Sequence, residues 1–312
     1  MITDDLVYFS IIIPTYNRAW CIERAMKSVL AQDFRDWEMI IVDDGSTDNT
    51  KDIVEEYLSD SRIRYFYKEN GGVGSARNLG MEQASGRYLM FLDSDDEFVA
   101  NALNIIQIAV SKYEDAKMFS FRAVDERGKQ ISYTDKIFGD RRIDFVDFIS
   151  QRYIKGEAFL VYKKTIFEGN KFDEDVNGGE GLLLLGLIRD SGLMLINSDA
   201  RIYHTESPDS IISSKLTPEK MRNIHDIQTR LIKKYEAELK VCNREYLGTA
   251  YLVLARSTAL SGERIKSLRE FFLGCWYNST DIRSIILYAV SLLDYNMKMN
   301  NFLNSIRNKY HV

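Results

Sequence analysis

Over its first third the chain alternates two kinds of hydrophobic pattern. Residues 9–13 form a short, almost wholly apolar run of strand length, stopped by Pro14. Ile22, Ala25, Met26, Val29 and Leu30 then recur at the i, i+3, i+4, i+7, i+8 spacing of one helix face, with Asn17 placed to cap that helix. Residues 37–42 and 63–67 read as a second and a third strand, separated by a helix carrying Ile53, Val54, Tyr57 and Leu58. A glycine-rich turn at 70–74 leads into a helix with Arg77 and Asn78, and residues 88–92 are the fourth strand. Strands separated by helices of this length specify βαβ units, hence an α/β fold with a mainly parallel sheet.

Further along, residues 117–124 and 130–133 read as strands joined by a turn at Glu126-Arg127-Gly128, 145–153 as a helix and 158–162 as a strand. Leu182 to Leu185 and Leu187 continue as a strongly apolar helix. From about residue 217 the alternation stops. Thr217-Pro218-Glu219 is a helix start with proline at the first helical position, and 218–236, 243–261, 263–276, 280–293 and 295–309 all read as helices. The pattern therefore divides the chain into an α/β domain, 1–215, and an all-helical region, 216–312. In that region Ile282, Ile285, Ile286, Ala289, Leu292 and Leu293 make an apolar face, interrupted by Arg283 and Ser284 and too short to span a bilayer. It has two readings: packing within the protein, or a surface for peripheral membrane contact or a homo-oligomer, prompted by Trp276, Tyr277, Tyr288, Tyr295, Lys298, Arg307 and Lys309.

Composition narrows the function. With 312 residues, 45% of them hydrophobic, the chain can bury a sizeable core, and a net charge of −5 argues against a general nucleic-acid binder. Cys21, Cys242 and Cys275 are odd in number and far apart, as expected in a reducing compartment, and Met1-Ile2-Thr3-Asp4-Asp5 lacks the basic start of a signal peptide. The expected location is cytoplasmic, with or without a peripheral hold on the inner face of the membrane.

The candidate chemistry lies where strands end. The fourth strand runs into Asp93-Ser94-Asp95-Asp96, three carboxylates in four positions at the carboxyl end of a strand, where open α/β sheets bind ligands. Such crowding raises the carboxyl pKa values unless a cation or donor groups compensate, so the loop suits a hard divalent metal, Mn²⁺ or Mg²⁺; the other reading is a solvated acidic helix start near Val99. Asp43 and Asp44 end the second strand in the same way. The turn through Asn70, Gly71, Gly72 and Gly74 lets backbone approach a phosphate at a helix start, yet it matches neither the dinucleotide fingerprint nor the P-loop. A carboxylate can accept the N3–H of uracil or thymine but cannot satisfy N3 of cytosine, so an aspartate-lined base pocket favours UDP or dTDP.

Four blocks now carry a resemblance: Ser10-Ile11-Ile12-Ile13-Pro14-Thr15-Tyr16-Asn17; Val42-Asp43-Asp44-Gly45-Ser46-Thr47-Asp48; Asn70-Gly71-Gly72 with Ala76-Arg77-Asn78; and Phe91-Leu92-Asp93-Ser94-Asp95-Asp96. In this order they resemble the family 2 inverting nucleotide-sugar glycosyltransferases, strongly over the first third, more weakly to about residue 212 and not beyond. The resemblance implies a GT-A fold, a doubly wound, mainly parallel α/β sheet with helices on both faces, with a UDP-sugar donor held through a divalent metal, and a glycan or lipid-linked saccharide acceptor in surface polysaccharide biosynthesis. It implies a donor site of Pro14, Thr15, Tyr16, Asp44, Asn70, Gly72, Arg77, Asp93, Ser94 and Asp96. Within it Thr15 and Tyr16 would flank the base, Asp44 accept from the pyrimidine, Arg77 contact base or pyrophosphate and Asp93 meet the ribose. Asp96 would stand behind the metal or touch the donor sugar, while Asp95 would bind the metal, with His204 completing its shell.

The chain departs from the family at the base. Similar enzymes open a helix with Glu-Asp after a Phe-Asp-Glu segment, and that Asp is the base; here Phe172-Asp173-Glu174-Asp175 is followed by Glu180-Gly181. Glu180 as base, Asp175 as its substitute, or a chain that binds nucleotide-sugar and transfers poorly as an assembly subunit remain open. A sugar nucleotidyltransferase would also use metal-holding carboxylates, but there is no basic, glycine-rich triphosphate loop near the N-terminus to support it.

Overall fold

The computed structural model describes residues 7–132, 139–150, 154, 156–175, 179–204, 218–278 and 282–293. The chain forms two compact units, Met1–Pro208 and Asp209–Val312. The expected helix at 295–309 and the segment 205–211 lie outside the described residues.

The first unit is built on one nine-stranded sheet. Strands β1 (Phe9–Thr15), β2 (Trp37–Asp43), β3 (Ile63–Tyr67) and β4 (Tyr88–Phe91) are parallel to one another, in the order β3-β2-β1-β4. Their run of buried residues, Phe9, Ile11, Ile12, Ile13, Met39, Ile40, Ile41, Val42, Leu89 and Met90, is what covering on both faces requires. Helices α1 (Ile22–Leu30), α2 (Thr50–Glu55) and α3 (Val73–Gln83) supply the crossovers. The face expected on α1 is the one that packs, with Ile22, Ala25, Met26 and Val29 fully buried.

Beyond the acidic loop lie β5 (Glu97–Phe98), α4 (Ala102–Lys112), β6 (Met118–Asp125), β7 (Arg141–Ile143), α5 (Phe145–Ile149), β8 (Ala158–Lys163), a single tight turn at Lys164–Phe167, α6 (Glu180–Ser191) and β9 (Leu193–Tyr203). The sheet continues β4-β8-β6-β9-β5, with β7 also on β9. The β6–β9 pair is parallel; β8 is antiparallel to β4 and β6, and β9 is antiparallel to β5 and β7. Register shifts between Phe121 and Ala123 bend the long β9 so that Arg201 pairs with Phe98, immediately past the acidic loop.

Three local expectations change. Asn17 does not cap α1, which begins after Cys21; it takes a left-handed conformation at φ 52° and its Oδ1 accepts from the Thr47 amide at 2.8 Å, tying the β1 loop to the turn after β2. Residue 130 contributes an isolated bridge to Val124 rather than a strand over 130–133, because only one pairing forms there, and residue 133 is outside the described residues. Helix α5 ends at Ile149 instead of 153, with residues 151–153 not described.

The second unit consists of α7 (Pro218–Cys242), α8 (Arg244–Leu260), α9 (Arg264–Tyr277) and α10 (Ile282–Leu293) among the described residues. Leu231, Tyr235, Leu239, Leu247, Leu252 and Ala255 are buried between them. A Cβ on Gly248 would collide with Asn278, and one on Gly274 would lie 2.7 Å from Leu252 Cγ, so the two glycines let α8 and α9 pack closely. No helix among the described residues is long and apolar enough to cross a membrane.

Candidate active site

Parallel pairing sets Thr15 beside Asp43 and Asp43 beside Tyr67, and brings Ile12 level with Phe91. The carboxyl ends of four strands therefore share one edge, with the acidic loop at the β4 end of it. Tyr16, next after Thr15, is 45% exposed there, and the Thr15 hydroxyl is buried without a hydrogen-bond partner. Pro14 and Ser94 are buried in the same two strand ends.

The two aspartates after β2 are spent on architecture. Asp43 accepts from the Ser46 amide at 2.7 Å and the Tyr65 hydroxyl at 2.7 Å, and burial followed by that bond pushes the Tyr65 phenol far up. Asp44 Oδ1 accepts from Lys68 Nζ at 2.7 Å and the Gly71 amide at 2.9 Å, while Oδ2 accepts from the Gly72 amide at 2.7 Å. Oδ1 thus has both its lone pairs engaged, and Oδ2 keeps one acceptor position. Gly72, at φ 87°, opens α3, so the turn that holds Asn70 is shaped by the same carboxylate expected to read a pyrimidine. Asn70 itself is exposed.

In the acidic loop the three carboxylates separate into two roles. Asp93 is bracketed by guanidinium groups, Arg77 Nη2 at 3.1 Å from Oδ1 and Arg201 Nη1 at 3.3 Å from Oδ2. Asp96 is fully buried, 3.1 Å from Arg201 Nη1, and accepts from the His204 amide at 3.1 Å. Burial pushes the Asp96 carboxyl up, to about 8, against the pull of Arg201. Arg201 also donates to Glu157 at 3.0 Å. The Asp95 backbone carbonyl accepts from Arg24, but its partly exposed carboxylate has no partner among the described residues.

Asp95 is therefore the acid of the loop whose carboxylate no described residue engages, a donor that suits a hard cation held by one or two carboxylates plus phosphates. No group of three or more His, Cys, Asp or Glu side chains is gathered for a metal among the described residues. His204 is less available than its place in the sequence suggests, since Nε2 lies 2.7 Å from Glu97 Oε1 and Nδ1 lies 3.4 Å from Glu126 Oε1.

Glu180 reaches this site through Arg77, whose Nη1 donates to Oε1 at 2.8 Å; no hydrogen bond from a described residue occupies Oε2. Arg77 also lies over the rings of Phe91 and Phe172, at 5.8 and 5.5 Å. Asp175 is not drawn in: it is exposed, and among the described residues only its backbone amide is engaged, donating to Asp173 Oδ1 at 3.0 Å. A Cβ on Gly181 would meet nothing within 4 Å, so packing does not demand glycine there.

Sequence reasoning missed Arg201, Arg24, Lys68, Glu97 and Glu157. For Arg201 the available signal was an arginine amid a strand-like run just before His204; the others carry none.

A doubly wound sheet with an acidic loop at the carboxyl strand ends, faced by arginines and by a glycine turn opening a helix, is the arrangement of the GT-A glycosyltransferases. The family model described as glycosyl transferase family 2 matches residues 10–168. A beta-1,3-glucosyltransferase of Campylobacter jejuni, named for the acceptor GalNAc(5)-diNAcBac-PP-undecaprenol, is 32% identical over 304 residues, covering 92% of this chain and 94% of its own. The Escherichia coli protein WfgD, named UDP-Glc:alpha-D-GlcNAc-diphosphoundecaprenol beta-1,3-glucosyltransferase, is 45% identical over 97 residues, 31% of this chain and 38% of its own. Among solved structures, residues 1–349 of Staphylococcus aureus TarS in complex with UDP-GlcNAc give a TM-score of 0.63 at 18% identity, covering 92% of this chain and 91% of that one. The chain belongs to glycosyl transferase family 2 and is a glycosyltransferase. Similarity also reaches further than the sequence blocks, since the Campylobacter alignment takes in helices beyond residue 212.

Proposed function

We propose that the protein transfers a sugar, with inversion, from a UDP-sugar to a hydroxyl of a saccharide carried on undecaprenyl diphosphate, in the assembly of a surface polysaccharide. The donor reading rests on Tyr16, with the unpartnered Thr15 hydroxyl beside it, as a face for the base, and on the remaining acceptor position of Asp44 Oδ2 for the pyrimidine N3–H. The names of WfgD and of the TarS complex support it, and the names of WfgD and the Campylobacter enzyme support the acceptor.

The observation that carries the mechanism is the Arg77 guanidinium shared between Asp93 and Glu180. It sets Glu180 beside the donor loop with Oε2 open, where it takes the proton of the acceptor hydroxyl as that oxygen bonds to the anomeric carbon and the bond to the β-phosphate breaks. Base assistance of this kind is worth about 10²–10⁴ in rate. Asp95 would hold a divalent ion, Mn²⁺ or Mg²⁺, which when bound stabilises the charge developing on the leaving diphosphate. Arg201 engages Asp93 and the buried Asp96, leaving the Asp95 carboxylate without a partner among the described residues.

A second reading has its own support: Gly181 stands in open space where similar enzymes carry the base, and Glu180 is held by an arginine, as in a subunit that binds nucleotide-sugar and turns over weakly. Calorimetric titration with UDP, with and without Mn²⁺, repeated on Asp95→Ala, tests the donor site. Binding that needs both metal and Asp95 is expected, and silence toward UDP, dTDP and GDP alike would reject it. Turnover of UDP-sugar in the presence of a lipid-linked acceptor separates the two readings.

A further inference from the structure

Helix α9 buries one side and leaves the other bare. Ser267, Glu270 and Gly274 are buried, and Phe271 stacks on the buried Tyr288 at 4.3 Å between ring centroids. On the opposite side Ile265 is 88% exposed, Leu268 42%, Phe272 66% and Trp276 76%. Successive helical residues advance by about 100°, so these four side chains fall within a sector of about 80°. Singly exposed apolar residues are ordinary, but four in one stripe on a packed helix are not.

The polar residues around the stripe are of one sign. Arg264 borders it on one side, and Arg269 and then Lys266 on the other; all three are exposed. The helix has one acid, Glu270, which is buried on the far side. Lys266 is partly offset by Glu263 at 3.4 Å, just before the helix. A second copy of this chain or an acidic protein could cover an apolar stripe. The combination of aliphatic residues, phenylalanine and tryptophan edged by arginines is what an interfacial helix presents to an anionic bilayer, its apolar face sinking about 5–10 Å into the headgroup boundary. We infer that the bare face of α9 is a membrane-contact surface for anionic phospholipid. This deepens the proposed acceptor reading, because an enzyme docked on the bilayer meets a lipid-linked saccharide at the surface where it resides; the geometry of α9 stands without it.

The test uses the full chain and sedimentation with vesicles of phosphatidylcholine alone or containing phosphatidylglycerol. The expected result is binding to the phosphatidylglycerol vesicles that weakens with salt and is at least about tenfold poorer on phosphatidylcholine. The variant Ile265→Ser/Phe272→Ser/Trp276→Ser should reduce partitioning at least about tenfold with an unchanged circular dichroism spectrum, its targets being solvent-exposed. Arg264→Gln/Arg269→Gln should reduce it by about 25-fold and flatten the salt dependence, at roughly fivefold per basic residue. Failure of the wild type to bind, or binding unchanged by the stripe variant, would overturn the inference. So would a concentration-dependent dimer that Phe272→Ser dissociates in a protein indifferent to vesicles. These vesicles carry no saccharide, so loss of the acceptor reading and loss of the membrane surface are separate outcomes.

Discussion

Arg77 and Glu180, 103 positions apart, meet at 2.8 Å, and the same guanidinium lies 3.1 Å from Asp93. One side chain thus connects the acidic loop to the start of α6, where the proposed base stands. Glu180→Gln keeps an oxygen for Arg77 and removes the base. Turnover should fall by about 10²–10⁴, with UDP affinity by calorimetry unchanged within a few-fold; unchanged turnover would remove Glu180 from the chemistry.

Gly181 lies in the first turn of α6 with open space around its Cα. Gly181→Asp relieves the entropic cost of a helical glycine and adds an acid where the helix dipole favours one, so chemical denaturation should show a gain of about 0.5–1 kcal/mol. With Glu180 as base, transfer should rise no more than a few-fold. A rise of tenfold or more would favour the weakly active reading, in which the reacting carboxylate is the missing group.

Arg201 is buried against Asp93, Asp96 and Glu157. Arg201→Met would strip the buried Asp96 of its cation, Asp93 and Glu157 being partly exposed, and breaking a buried pair from one side costs up to about 3–5 kcal/mol. Denaturant unfolding should show this loss, and UDP titration in metal a weakened donor site. Arg201→Lys should recover part of the stability but little of the binding, because an ammonium cannot hold the same fork of acids.

Far from the site, Glu38 is buried and accepts from the Ser10 hydroxyl at 2.7 Å, the Ser85 amide at 2.6 Å and Arg64 at 2.9 Å. Burial raises its pKa, but the bonds from Ser10 and Ser85 and the charge of Arg64 outweigh this and hold it below the usual 4.5. With the folded pKa depressed, its contribution is full above the unfolded carboxyl value and is lost as pH falls through the folded one. Glu38→Gln should therefore destabilise by about 1–3 kcal/mol at neutral pH, and the difference from wild type should shrink in strong acid.

Gly80, on α3, lies where a Cβ would run into Ile12 of the central strand. Gly80→Ala forces α3 off the sheet and should cost about 1–3 kcal/mol despite the better helix propensity of alanine. A gain in melting temperature would show that the helix has room to move.

The four parallel strands and their crossover helices were legible because each apolar run and each helical face is a local pattern: Ile11 to Ile13, Ile40 to Val42 and the α1 face each declare their period within a few residues. The acidic loop at Asp93, Asp95 and Asp96 was legible for the same reason. Strand β9 was less so, since its eleven residues mix apolar and charged positions and gain their meaning from a bend against β6. The allocation of roles among the acids was beyond local reading. Asp44 is committed to the glycine turn, Asp93 and Asp96 to Arg201, and His204 to Glu97 and Glu126, all by partners at least 24 positions away. What the sequence by itself determined is which residues can carry charge or line a strand, because that is chemistry and short-range periodicity. Only the tertiary structure decided which charges are spent on one another and which, like Asp95, are left for a ligand, because a carboxylate's availability depends on the cations and amides that the folded chain brings to it.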